Sequence, residues 1–186
     1  MTPDPKTVER HVFNLLEVLL GEDFIDENPH LAETPERVAK SLIELTTPTP
    51  FNFTVFENKD INQLVAVTDI PFFSLCAHHL LPFYGMAHIG YVPNELMAGL
   101  SKLSRTVQHF MRGLNIQEEM TQDILSYIEE HLKPLGVMVV VEGEHLCMTM
   151  RGAHSSGRTT TSAISGVFKN PKRGARTEFL DLIGRQ

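Results

Sequence analysis

The chain has 186 residues with 16 basic and 23 acidic side chains, a formal charge of −7 and 42% hydrophobic content. That length suits one domain with a small extension, long enough to bury a core without staples, and the composition is that of an ordinary folded chain. The acidic balance excludes a broad nucleic-acid surface, which needs a basic face, but leaves room for a small anion held by a few Arg and Lys. The start, MTPDPKTVER, is polar, no apolar run approaches a membrane span, and two cysteines argue for metal ligation or burial rather than a disulfide framework. The expectation is a cytoplasmic protein with neither a nucleic acid nor a membrane as partner.

Residues 5–20 read as a helix, with Val8, Val12, Leu15, Leu16 and Leu19 on one face and Gly21 as its stop. Thr34 and Pro35 open a second helix, Thr34 as N-cap, with Val38 and Leu42 inward. Residues 47–60 hold two prolines and no period, so a loop is expected there, separating an N-terminal helical region, 1–60, from the remainder, 61–186. The remainder reads strand, strand, helix, helix, strand, strand over 64–73, 85–92, 100–112, 118–132, 137–141 and 159–168. Pro71 places the end of the first strand at an edge or bend. Residues 176–183 form a short closing helix.

Cys76 and His79 are separated by two residues, a spacing that lets one turn present two ligands to a tetrahedral ion. The only other cysteine, Cys147, also sits beside a histidine, His145, in a stretch that reads as strand. Alternation along that strand puts His145, Cys147, Thr149 and Arg151 on one face and Leu146, Met148 and Met150 on the other. Three ligands, Cys76, His79 and Cys147, leave a fourth position open for water, the mark of a catalytic zinc site; a structural site would need a fourth ligand, for which His78 and His145 are available. The plain alternative is a buried cysteine and a chance pair of surface histidines.

Residues 99–105, GLSKLSR, open a helix whose first N–H groups favour an anion, with Ser101 in the first turn and Lys102 and Arg105 on one face. Lys102 and Arg105 are equally well read as a solvated helix face. Arg151 lies four residues beyond Cys147, about 13 Å along an extended strand, so a nucleotide has room to span from metal to guanidinium. Gln117 and Glu118 open the next helix. One carboxylate accepts two hydrogen bonds from guanine N1–H and its 2-amino group, although an acid in a first turn is ordinarily dipole complementation.

Taken together, these segments resemble the GTP cyclohydrolase I family. LAETPERVA (31–39) is similar to the family's L-x-x-T-P-x-R-V-A stretch, and CAHH (76–79), GLSKLSR (99–105), QE (117–118), HLCMTMRG (145–152), TTTS (159–162) and RTEFL (176–180) follow in order. The resemblance implies an α+β T-fold, an antiparallel sheet built strand-strand-helix-helix-strand-strand, with an N-terminal helical extension. It implies Zn2+ on Cys76, His79 and Cys147, catalytic roles for His78, His145 and Ser101, triphosphate contacts from Ser101, Lys102, Arg105 and Arg151, and guanine recognition by Gln117 and Glu118. His78 matches the histidine that protonates guanine N7, and His145 one that acts in ring opening and ribose chemistry. The implied partner is GTP and the implied assembly a toroidal homo-decamer with active sites between subunits.

The implied reaction opens the imidazole ring of GTP, releases formate and rearranges the ribose to give 7,8-dihydroneopterin triphosphate. Two departures stand out. Ala77 occupies a position where the family usually has Glu, and the stretch from Arg151 to TTTS is slightly short. The competing readings are a cyclohydrolase that stops at a formylamino intermediate and a non-catalytic, zinc-stabilised nucleotide-binding regulator.

Overall fold

The computed structural model describes residues 3–184. Its contacts divide the chain into two compact units, Met1–Thr47 and Pro48–Gln186. In the first, α1 (Pro5–Leu20) is capped by Asp4, whose carboxylate accepts from the N–H of Thr7 at 3.1 Å. Gly21, at φ 102, returns its N–H to the Glu17 carbonyl and stops the helix. A short α2 (Phe24–Glu27) places Phe24, 1% exposed, against the Phe13 ring at 5.5 Å, and α3 (Thr34–Thr46) packs on α1. The buried face of α1 centres on Val8, Val12 and Leu16, while Leu15 and Leu19 point outward. The expected face was thus rotated by about one residue, because Phe13 takes the inward position beside Phe24 that Leu15 was expected to share. Glu33, not Thr34, occupies the N-cap of α3, and Thr34 is its first helical residue.

The second unit contains β1 (Val55–Glu57), β2 (Val65–Cys76), β3 (Pro82–Val92), β4 (Leu96–Ala98), α4 (Leu100–Phe110), β5 (Leu114–Asn115), α5 (Gln117–Leu132), β6 (Gly136–His145), α6 (Leu146–Thr149), β7 (Arg158–Ile164) and α7 (Ala175–Leu182). β1 lies inside the stretch expected to be loop. It pairs antiparallel with β4, a long-range partner that local composition does not signal. The main sheet has the order β5-β2-β3-β6-β7, antiparallel except for a short parallel pairing of β5 with the end of β2. Pro71 lies within β2 rather than at its end, on a stretch that among the described residues pairs with β3 alone, so an edge strand carries the residue that lacks an N–H.

α4 and α5 cover one face. Leu103, Val107, Met120, Ile124 and Ile128 are fully buried there against Phe72, Phe83, Ile89 and the odd-numbered valines of β6. Met138, Val140, Phe168 and Phe179 fill the other face, which explains why 137–141 reads as an unbroken apolar run. The last strand ends at Ile164, earlier than expected, because Gly166 at φ 50 turns the chain into a 3-10 turn over Gly166–Lys169.

Gly90 faces Phe179 of α7 so closely that a Cβ at 90 would lie 2.5 Å from the ring. Gly90→Val therefore displaces Phe179 and loosens α7, destabilising the fold by about 1–3 kcal/mol. The check is a Tm measurement with hydrogen exchange across α7, where faster exchange is expected than in wild type.

Candidate active site and metal centre

One end of the main sheet collects the chemistry. β2 ends at Cys76, β6 ends at His145, β7 begins at Arg158, and α5 begins at Gln117. β5 holds these together. Leu75 and Cys76 pair with Leu114 and Asn115, and the Ala77 N–H donates to the Asn115 carbonyl at 3.0 Å. The Asn115 amide donates to Ser74 Oγ at 2.8 Å and to the Phe110 carbonyl at 2.9 Å, tying the end of α4 to β2. That main-chain bond, independent of the side chain at 77, pins the start of the turn.

The turn after Cys76 carries His78 and His79, both exposed, and reverses at Leu80, φ 55. The structure corrects the reading of Cys147. The strand stops at His145, which pairs with Phe83, and Leu146–Thr149 winds into one helical turn, with Thr149 Oγ1 donating to the His145 carbonyl at 3.1 Å. β3 begins at Pro82, so β6 runs out of ladder partner there and the alternation of faces ends with it. Cys147 reaches the site on that turn. The extended 13 Å span to Arg151 is therefore not realised.

Ligand atoms of Cys76, His79 and Cys147 all lie within 4.8 Å of one another. The two Sγ atoms are 3.9 Å apart, and Cys76 Sγ is 3.9 Å from His79 Nδ1. A tetrahedral zinc ion with bonds of about 2.3 Å to sulfur and 2.0–2.1 Å to nitrogen separates such donors by roughly 3.5–3.8 Å, so the donor set fits one. The sulfurs are too far apart for a disulfide, which needs about 2.05 Å. Burial, and then the neighbouring Cys76 sulfur, pushes the Cys147 thiol above its ordinary pKa, while Arg151 pulls it down. A cation between the sulfurs removes that penalty.

Beside the cluster lies a cavity of about 290 Å³ whose wall includes His78, Gln117, Glu118, His145, Met148 and Thr159. His145 stacks on Phe83, centroids 4.5 Å apart and planes at 5°, and its Nε2 lies 2.8 Å from Gln117 Oε1. Burial holds its pKa below the usual histidine value, with Glu118 opposing. His78 Nδ1 is 4.0 Å from Cys76 Sγ. None of Ser101, Lys102, Arg105 and Arg151 lines this cavity. Ser101 and Arg105 are exposed on α4, Lys102 is half-buried, and Arg105 lines a separate hollow with Phe51 and His109. Arg151 is exposed just past α6. Sequence reasoning gave no role to Asn115, Thr121 or Phe83. Thr159 and Thr161 lay within a quoted motif, but nothing local told which threonines of the run face inward.

Two outcomes follow from this geometry. Metal-free protein reacts with a thiol reagent at both cysteines, one equivalent of zinc protects both, and Cys147→Ser no longer holds zinc stoichiometrically, as read by metal analysis after dialysis. The folded state also resists protonating His145, so in metal-free protein its stabilising effect is complete above pH 6.5, the ordinary value, and is lost as pH falls toward the lowered folded value. The Tm therefore drops on acidification through that window, and less steeply in His145→Asn.

Comparison with known proteins then bears on the whole chain. The family model described as GTP cyclohydrolase I matches residues 8–184. The GTP cyclohydrolase 1 of Bacteroides thetaiotaomicron is 44% identical over 189 residues, covering 98% of this chain and 94% of that one. That of Aquifex aeolicus is 45% identical over 98% of both chains, and that of Hydrogenobaculum sp. is 46% identical over 88% of this chain and 90% of its own. With that family's pattern running from residue 8 to residue 184 and relatives matched over nearly their whole lengths, the chain belongs to the GTP cyclohydrolase I family of enzymes.

Proposed function

We propose that this enzyme converts GTP and water to formate and 7,8-dihydroneopterin triphosphate, with its catalytic machinery within 61–186 and its sheet and helices arranged as a T-fold. The observation that carries the reading is the convergence of Cys76, His79 and Cys147 at the edge of a cavity that also holds two further histidines and a carboxylate. Those three side chains would hold zinc, which when bound supplies Lewis acidity and makes water nucleophilic near neutral pH.

The remaining steps belong to the chain's own groups. His78 donates a proton to guanine N7, which makes C8 electrophilic. His145, kept neutral by burial, accepts and returns protons as the ring opens and the ribose rearranges. Glu118, exposed at the start of α5, accepts from guanine N1–H and the 2-amino group, a pattern adenine does not offer. Gln117 meets the base through its main-chain N–H, one of the helix's first donors without an intrahelical acceptor, because its side chain is taken up elsewhere. Arg151, Ser101, Lys102 and Arg105 hold the triphosphate.

The last three come, in this proposal, from a neighbouring copy, which accounts for their absence from the cavity wall. Two features support assembly. Among the described residues, β2 from Val65 to Ser74 has a strand partner on one side only, and β7 has one partner, β6. β2 and β7 run in opposite directions, so β7 of one copy added to β2 of the next continues an antiparallel sheet. Such a heterologous contact closes into a ring and removes both open edges. A homo-decamer is the assembly we propose. Among the described residues no helix is long and apolar enough to cross a membrane, in keeping with the cytoplasmic location we propose.

Incubation of zinc-loaded protein with GTP, followed by mass spectrometry, tests the reading. Formate with dihydroneopterin triphosphate is expected; a formylamino product means the ribose chemistry is lost, and unchanged GTP with zinc present overturns the assignment. Glu118→Ala lowers kcat/KM for GTP by roughly 10- to 100-fold, the size expected for hydrogen bonds to a charged group, with zinc content unchanged.

A further inference from the structure

The Gln117 side chain is 2% exposed and engaged at both ends. Its Nε2 lies 3.1 Å from the carbonyl oxygens of Val141 and Thr159 and from Thr161 Oγ1, and its Oε1 faces His145 Nε2. Groups that can only accept set the direction of the bonds in this network. Thr121 Oγ1 donates to the Gln117 carbonyl at 2.7 Å, since a carbonyl can only accept. The Thr121 hydroxyl therefore accepts from Thr161 Oγ1, 2.7 Å away. With its own proton committed, Thr161 receives the Gln117 amide N–H. A reversed amide would aim an oxygen at two carbonyl oxygens with no proton between them.

The amide orientation is thus set by groups other than His145, and it puts an acceptor at His145 Nε2. Gly143 leaves the necessary room, for a Cβ there would fall 2.5 Å from Gln117 Oε1. Phe83, stacked parallel on the imidazole, holds the ring plane.

We propose that Gln117 is a positioning residue: its Oε1 fixes the proton of the His145 imidazole on Nε2, which leaves the ring's lone pair on Nδ1. The functional part of this inference rests on the proton-carrying role given to His145 above; the tautomer does not. A wrong tautomer would present an N–H where the reaction needs a lone pair.

The test uses zinc-loaded enzyme with ¹⁵N-labelled histidine and long-range ¹H–¹⁵N correlation spectra. Wild type is expected to show His145 protonated at Nε2 and bare at Nδ1 near neutral pH. Gln117→Leu is expected to show both tautomers and a kcat reduced by about 10- to 100-fold, the usual cost of losing a group that orients a functional histidine, with KM for GTP changed far less. Thr161→Val, which leaves Gln117 in place, moves both readouts the same way by a smaller amount, and Thr161→Ser restores them; this pair decides the matter if Gln117→Leu does not fold. A wild-type His145 protonated at Nδ1, or variants that keep a single Nε2–H tautomer while losing activity only in step with zinc or Tm, overturns the proposal. If wild type shows the Nε2–H form yet leaves GTP unchanged, the positioning stands and the assigned reaction fails.

Discussion

The parallel pairing of Leu75 and Cys76 with Leu114 and Asn115 is the contact on which the rest of the site depends. α4 and α5 are held to the sheet by a wide apolar face, which fixes their distance from it but leaves sliding along it weakly opposed. The β5 bridge removes that freedom. It ties the connection between the helices to the end of β2 by directional bonds, and the Asn115 amide extends the tie to Ser74 and to the last turn of α4. α5 starts two residues later, so Gln117 and Glu118 arrive beside the cysteine that ends β2.

From that anchor the two sides of the site differ in kind. Gln117, Thr121, Thr161 and His145 form a largely buried set of directional bonds in which every polar group has a partner. Buried polar groups tolerate no looser arrangement, because each unmatched one carries the full desolvation cost. His78, His79 and Glu118 face solvent instead, where approach of a substrate and movement of protons need access. His145, stacked on Phe83 and half-buried, and the exposed His78 therefore sit in different surroundings.

The charge distribution follows the same division. The chain is acidic overall, yet its candidate phosphate-binding cations are grouped on α4 and after α6, outside the wall of the Cys–His cavity. Charges act over about a Debye length, so a net negative charge elsewhere on the chain does not oppose an anion held beside a few cations. In the assembly proposed above, the sheet edges at β2 and β7 would bring such separated parts together.

Much of this was legible from one sequence. Helical period and stop residues located α1, α4 and α5 to within a few residues, because amphipathic helices carry their burial pattern locally. The cysteine and histidine spacing marked the three donors that the fold brings within 4.8 Å. What escaped was whatever depended on a partner distant in sequence. β1 exists only because β4 lies beside it, the strand before Cys147 stops because β3 begins at Pro82, and the inward face of α1 was set by Phe24. The direction of the Gln117 amide, and with it the His145 tautomer, depends on carbonyls from β6 and β7 that no spacing rule connects to α5. By itself the sequence determined which residue types are available for chemistry and where the amphipathic helices and the long strands of the main sheet lie, since propensity and period are local. The tertiary structure alone decided which donors meet, which protons point where, and which cations stand apart, since each of those is a relation between segments brought together only by the packed sheet.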